Sequence, residues 1–281
     1  QRRRAASLLG ALGLASAASW LLGPRASQDP LLQPGAARST GAIEQGSVLL
    51  SRPGGHFADR QQYFHKSVIL IVRHRADFDL GIILNRPTGV LSSQLGLPGP
   101  PRSVWFGGDC EGLRPLSFLP PGELQGSPRM FCLHTDEEQS LDSTRIASGV
   151  YSMDSFKAQQ LAIRGDPRAN DFMFFAGYCG WGAGQLQDEL DRGDVWKLAT
   201  VDSQIIIREM REAALELRAL STVGLDDGIA EWRHFYSAVD AGLPMQVRGP
   251  EDVVSKDDRA DDRLADQMLR DWVQLNLQGL A

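Results

Sequence analysis

The sequence predicts a fold that mixes short β-strands with α-helices, strands first and helices later, closed by a separate charge-dense helix. Three observations lead there. Five short apolar or β-branched runs lie between residues 46 and 135, bounded by Gly, Pro, Asn or Asp. Residues 203–220 and 228–239 carry apolar side chains at helical offsets. After Pro250 the composition shifts to dense acids and bases around a narrow apolar stripe.

The elements follow in order. "GSVLLS" (46–51), "SVILIVRH" (67–74), "LGIILNRPTG" (80–89), "SVWFGGD" (103–109) and "RMFCLHT" (129–135) read as strands, the third ended by the turn formers Asn85, Pro87 and Gly89. A sixth strand is expected near 144–153. Asp154 then caps a helix in which Phe156, Leu161 and Ile163 share a face, with Gly165 at its C-terminal end. "DFMFF" (171–175) has the composition of a buried strand. Asp202 starts the 203–220 helix, with Ile206, Met210, Ala214 and Leu217 on one side. In the last helix Leu264, Met268, Trp272 and Leu275 recur at helical spacing, to dock on the chain's own domain or on a partner.

The chain begins with a different kind of segment. "RRRAASLLGALGLASAASWLLGPR" puts arginines ahead of a moderately apolar stretch rich in Gly, Ala and Ser, the layout of a targeting segment. A twin-arginine export signal has a similar layout, and the alternative is a membrane anchor through residues 5–24. Residues 26–43 read as linker. The expected organisation is 1–43 targeting segment and linker, 44–243 folded domain, and 244–281 charged helical extension. No stable membrane span is expected in a mature form.

With 281 residues, 42% hydrophobic and 23% charged, the composition is that of a globular protein. Residues 1–41 hold five Arg and one Asp, so 24 basic and 34 acidic residues remain for the rest. So acidic a domain repels a phosphate backbone, and nucleic acid is not an expected partner. Cys110, Cys132 and Cys179 form no CxxC pair, and the five histidines form no HExxH, so neither a metal nor a cofactor is expected.

"FFAGYCGWGAGQLQDEL" (174–190) packs four glycines, a cysteine and a tryptophan between a strand and a helix. As a phosphate cradle it fails. Gly180, Gly182 and Gly184 give GxGxG rather than GxGxxG, the Lys and Ser/Thr places of a P-loop are Ala183 and Gly184, and Asp188 and Glu189 already answer the helix dipole. As a thiol site it lacks a neighbouring cation for Cys179. As a corner it fits. The glycines at 177, 180, 182 and 184 permit a sharp turn, Trp181 covers the gap, Leu186 and Leu190 dock the helix, and Gly193 ends it.

Taken in order, "GSVLLSRPG", "FHKSVILIVRH", "DLGIILNRPTG", "VWFGGD", "FCLHT" and "FFAGYCGWGAGQLQDELDRGDVW" resemble the YqgE/AlgH family over roughly residues 45–243. The resemblance implies a single α+β domain of coiled, bifurcated mixed β-sheets flanked by helices, with Gly107 and Gly108 also serving as turn glycines. It implies no reaction, since the family has none established; a transcription-regulating role attached to some bacterial members finds no support in this acidic charge. The leader and the final helix depart from the bacterial pattern and look more like plastid versions, which implies a plastid location, with the thylakoid lumen one option within it. Asp109 and Cys110 stand where many members have a proline and an apolar residue, so no role carries over to that cysteine.

Three functions follow as expectations. The first is a non-enzymatic binding or regulatory protein with a protein partner, its surface gathering Asn85, Arg86, His134, Trp181 and Gln185. The second is a small hydrolase or transferase with His134 as general base and Arg86 as anion stabiliser, which requires the two to converge. The third is a thiol-based redox protein using Cys132 and Cys179.

Overall fold

The computed structural model describes residues 37–39, 41–54, 57, 61–97, 99–110, 130–137, 143–203, 206–207, 210, 226–241 and 256–278. The expected targeting segment and most of the linker lie outside them. So do Ala214 and Leu217, although Ile206 and Met210 are helical and buried as expected.

Twelve described strands form two six-stranded sheets. The first runs β1 (Ala37–Ser39), β12 (Trp196–Val201), β2 (Val48–Ser51), β3 (Val68–His74), β4 (Phe78–Ile83), β11 (Cys179–Gly182), all antiparallel. The second runs β5 (Pro87–Leu91), β6 (Ser103–Phe106), β10 (Met173–Ala176), β7 (Met130–His134), β9 (Val150–Asp154), β8 (Thr144–Ala147), mixed through its one parallel pair, β6 with β10. Four labelled helices flank them: α1 (Ser155–Ile163), α2 (Gln185–Arg192), α3 (Asp226–Ala241) and α4 (Lys256–Val273). The fold is α+β.

Both sheets are covered on both faces, so their strands read as continuous apolar runs. In β3, Ile69 and Ile71 join a core roofed by α1, α2 and α4, while Val68, Leu70 and Val72 join a second core roofed by α3 and by Ile206 and Met210. Asp154 caps α1 by accepting from the Lys157 amide at 3.1 Å, and Gly165 and Gly193 take the left-handed conformation after α1 and α2.

The differences from the sequence reading are local. Residues 37–39, expected in the linker, pair with β12 as an edge strand. The run 80–89 is two strands in two sheets. Pro87, expected only to end a strand, begins edge strand β5, where its missing N–H costs nothing. The single strand near 144–153 is the β8–β9 hairpin, turned at Gly149. In α1 the buried face is Ser155, Ala158 and Ala162, whose small side chains let the helix lie close, while Phe156 and Ile163 are exposed. In α4 and the π turn Gln274–Gln278 that continues it, the buried stripe is Ala265, Leu269, Val273 and Leu277; of the expected stripe Met268 and Trp272 pack partly buried against the core, while Leu264 and Leu275 are exposed. The helix packs on its own domain, against the short 3-10 turn Gln62–Phe64 and β5, and its buried side chains join the first core.

Candidate functional site

The glycine corner joins two strands rather than a strand and a helix. β10 leaves the second sheet at Ala176 and passes Gly177 and Tyr178, and the chain re-enters the first sheet as β11 before α2 begins. A second segment, Gly107–Cys110 after β6, runs alongside. The Gly107 amide donates to Ala176 O at 2.8 Å, the Ile83 amide to Gly107 O at 3.0 Å, and Cys110 and Tyr178 exchange backbone bonds of 2.9 and 3.2 Å. A Cβ at Gly177 would overlap the Gly108 carbonyl, and one at Gly108 the Tyr178 carbonyl. Only bare backbone permits this crossing.

Trp181 is buried on β11 and faces Gly81, where a Cβ would approach its ring to 3.1 Å. Its indole donates to Glu189 Oε2 at 3.0 Å, and Trp196 donates to the same oxygen at 2.8 Å. Gln185 donates to Glu189 Oε1 at 2.9 Å and accepts from the Gly182 amide at 3.1 Å. Glu189 is thus a clamp holding α2 to two strands. Gly180 meets the Phe78 ring, whereas Gly182 and Gly184 have open space beside them, and Gly184 takes the left-handed N-terminal position of α2.

Asn85 and Arg86 are buried in the link from β4 to β5. Asn85 Oδ1 accepts from the Val68 amide at 2.8 Å, and its Nδ2 donates to Lys66 O at 2.9 Å and to Gly228 O, on α3, at 2.5 Å. The Arg86 guanidinium donates to main-chain carbonyls of Tyr63 (3.4 Å), Asn85 (3.2 Å), Lys66 (3.3 Å) and His65. Burial lowers its pKa to about 10, against the opposing pull of Asp266, Asp262 and Glu231, so it stays charged at neutral pH.

The carbonyls that Arg86 grips belong to a loop bearing two more nitrogen donors. His65 Nε2 and Lys66 Nζ converge on Asp262 Oδ1 of α4 at 2.9 and 2.7 Å. Lys66 is nearly buried, has a positive φ of 53°, and its ammonium lies 5.9 Å from the Trp232 ring centroid. Burial alone would raise the Asp262 carboxyl, but the bonds from His65 and Lys66 outweigh it and hold it below the usual range.

His134 lies elsewhere. It ends β7, fully buried, with its ring stacked on Tyr151 and Nε2 2.7 Å from Ser143 Oγ. Desolvation lowers its pKa, against the pull of Asp136 and Asp171, which keeps the imidazole neutral at pH 7. The register fixes its separation from Arg86. The Phe106 amide bonds Arg86 O, Phe106 aligns with Ala176 and then Met130, and His134 is four residues further along β7. Three strand spacings across and four residues along put the two roughly 19 Å apart. They do not converge.

The expected surface therefore divides. Asn85, Arg86, His134 and Trp181 are buried and only Gln185 is exposed, so these side chains share no open face. Cys132 and Cys179 are free and buried, Cys110 is free and half-buried, and burial pushes all three thiols up, away from nucleophilic thiolate. Among the described residues no three His, Cys, Asp or Glu are grouped to hold a metal ion, and no helix is long and apolar enough to cross a membrane. Residues missed at the sequence level are His65, Lys66, Asp262, Glu189 and Ser143. "HK" ahead of an apolar strand is a visible signal for the first two; nothing local links them to an aspartate 196 residues away.

Comparison with known proteins adds the family. The sequence model described as AlgH-like matches residues 56–226, more than half of the chain. A UPF0301 protein of Caulobacter vibrioides is 30% identical over 64% of this chain and 87% of its own length. One from Methylococcus capsulatus is 32% identical over 58% and 84%. The solution structure of the AlgH protein from Pseudomonas aeruginosa aligns with a TM-score of 0.45 at 21% identity, covering 66% of this chain and 98% of that one.

Proposed function

We propose that this chain, which belongs to the AlgH-like family, is a binding or regulatory protein that works through a protein partner rather than by catalysis. One observation carries the reading. The polar side chains best suited to chemistry are spent on the fold: Asn85 and Arg86 bond main-chain atoms, and Glu189 ties two indoles to a helix. The test is affinity capture of the native protein, followed by rebuilding the complex from purified components. A stoichiometric complex supports the reading; catalytic turnover that survives purification overturns it. A plastid location accompanies the proposal, supported by the basic-then-apolar layout of residues 2–25. A mature N-terminus between residues 18 and 45, read by sequencing protein from the organelle, is the expected result.

A second reading, a small hydrolase or transferase, has one specific observation in its favour. His134 Nε2 sits 2.7 Å from Ser143 Oγ, within reach of a base and its nucleophile, and the imidazole is held neutral. Arg86 has no part in it. A fluorophosphonate probe labelling Ser143 in the folded protein, and failing on Ser143→Ala, would establish it.

A further inference from the structure

Three nitrogen-bearing side chains meet beneath α4: the His65 imidazole, the Lys66 ammonium and the Arg86 guanidinium, all nearly buried. Asp262 is the carboxylate bonded to His65 and Lys66, and it answers with a single oxygen, Oδ1, which takes both. The donors are held from beneath by bonds that do not involve α4. Arg86 binds the carbonyls of Tyr63, His65 and Lys66 from inside, and Asn85 binds the Lys66 carbonyl as well. Lys66 keeps its left-handed backbone under that grip, the kind of local strain that a surrounding network over-determines. The donors lie within the AlgH-like stretch 56–226, whereas the carboxylate comes from a helix outside it.

We propose that His65 and Lys66, positioned by Arg86, form an oxyanion-binding site, and that Asp262 is an intramolecular occupant standing where a carboxylate or phosphate group of a ligand binds. The chemistry fits. Two N–H donors converge on one point, a buried guanidinium adds positive field from behind, and Trp232 walls the ammonium on the α3 side. An anion with a second oxygen facing the donors would engage His65 and Lys66 separately, which Asp262 does not. The helix is kept in place by its own apolar stripe and by Trp272 edge-on to Phe106 at 4.7 Å, so losing the carboxylate opens the site without removing its cover. The site does not rest on the binding-protein reading above, because an enzyme would use it equally well.

The experiment uses the full chain. Asp262→Ala and the wild type are titrated with sodium acetate and with sodium phosphate, against sodium chloride at matched ionic strength. Thermal midpoint and the His65 ring resonances are read. In the variant, acetate or phosphate raises the midpoint and moves the His65 signals, with an apparent affinity at least about tenfold tighter than in the wild type, where Asp262 competes. Adding Lys66→Met to the variant abolishes the response. Acetate alone assigns a carboxylate ligand and phosphate alone a phosphate. A variant that responds no more than it does to chloride, or no more than the wild type, overturns the site. Should Asp262→Ala not fold, Asp262→Asn, which keeps the side-chain volume, is read in the same way.

Discussion

Two places hold this molecule together by opposite means. At the sheet crossing, Gly107, Gly108 and Gly177 bring main chain against main chain, and a single Cβ has nowhere to go. At the seat of α4, a half-exposed helix is fixed by an aspartate between the His65 imidazole and the Lys66 ammonium and by a narrow apolar stripe. The first is a steric constraint, satisfied or broken all at once; the second is a sum of separable contributions. The difference teaches where the chain tolerates change. The crossing has one permitted state, whereas the helix seat has parts that can be removed singly.

The sharpest way to break the comparison is at the crossing. Gly177→Ala adds a Cβ that would overlap the Gly108 carbonyl, at a residue with φ of 75°. A loss of at least about 4 kcal/mol is expected, enough to abolish the cooperative thermal transition. Gly184→Ala is the control. Its φ is 74° but the space beside it is open, so it carries only the backbone cost of about 1 kcal/mol. Equal losses at the two positions would show that backbone conformation, not the crossing, is what the glycines serve.

At the helix seat the largest single part is apolar. Leu269 is 1% exposed at the centre of the α4 stripe, and Leu269→Ala should cost about 3 kcal/mol by denaturant unfolding. Most of that loss belongs to α4, so amide exchange over 256–278 should rise further than exchange in β3.

This contrast also explains what was legible in the sequence. The strands β2, β3, β4, β6, β7 and β10, the Asp154 cap, the Gly165 and Gly193 ends and the corner glycines were readable, because each is dictated by residues a few positions away. β11 was not, because "CGWG" has neither alternation nor β-branched residues and is a strand only through pairing with β4. The face of α4 was legible only in part: Met268 and Trp272 pack against the core, whereas Leu264 and Leu275 do not. Counting large apolar side chains selects Leu264, Met268, Trp272 and Leu275, which places Asp262 away from the core. The observed stripe centres on Leu269, one heptad beyond Asp262, so Asp262 shares the docked face. The donors that make this favourable lie at positions 65 and 66, and no local pattern pairs them with it. Asn85 and Arg86 were marked as site residues, but that they spend their hydrogen bonds on main chain is visible only once loop 63–66 is folded around them.

A smaller effect isolates the charge. Asp262→Asn keeps volume and an acceptor oxygen while removing the anion, at a cost of about 2 kcal/mol, reduced from that of a fully buried pair because Asp262 is 18% exposed. The sign with pH follows from its lowered pKa. The carboxylate stabilises the fold fully above the unfolded Asp value of about 3.9 and loses that contribution as pH falls through the lower folded value. The stability difference between wild type and variant should shrink as pH falls below about 4.

The smallest effect is the most telling about how α4 sits. Leu264 is 47% exposed and Leu275 77% exposed, so replacing either with Ala removes little buried surface and should change stability by less than about 0.5 kcal/mol. Were the large-residue stripe the docked one, the same changes would cost about 3 kcal/mol each and Leu269→Ala would cost little. Because Asp262 lies on the Leu269 side, the two outcomes also decide whether its carboxylate can reach Lys66. A cost ordering of Leu269 above Leu264 and Leu275 therefore fixes the rotation of the helix and, with it, the presence of an acid over the cations of the matched domain.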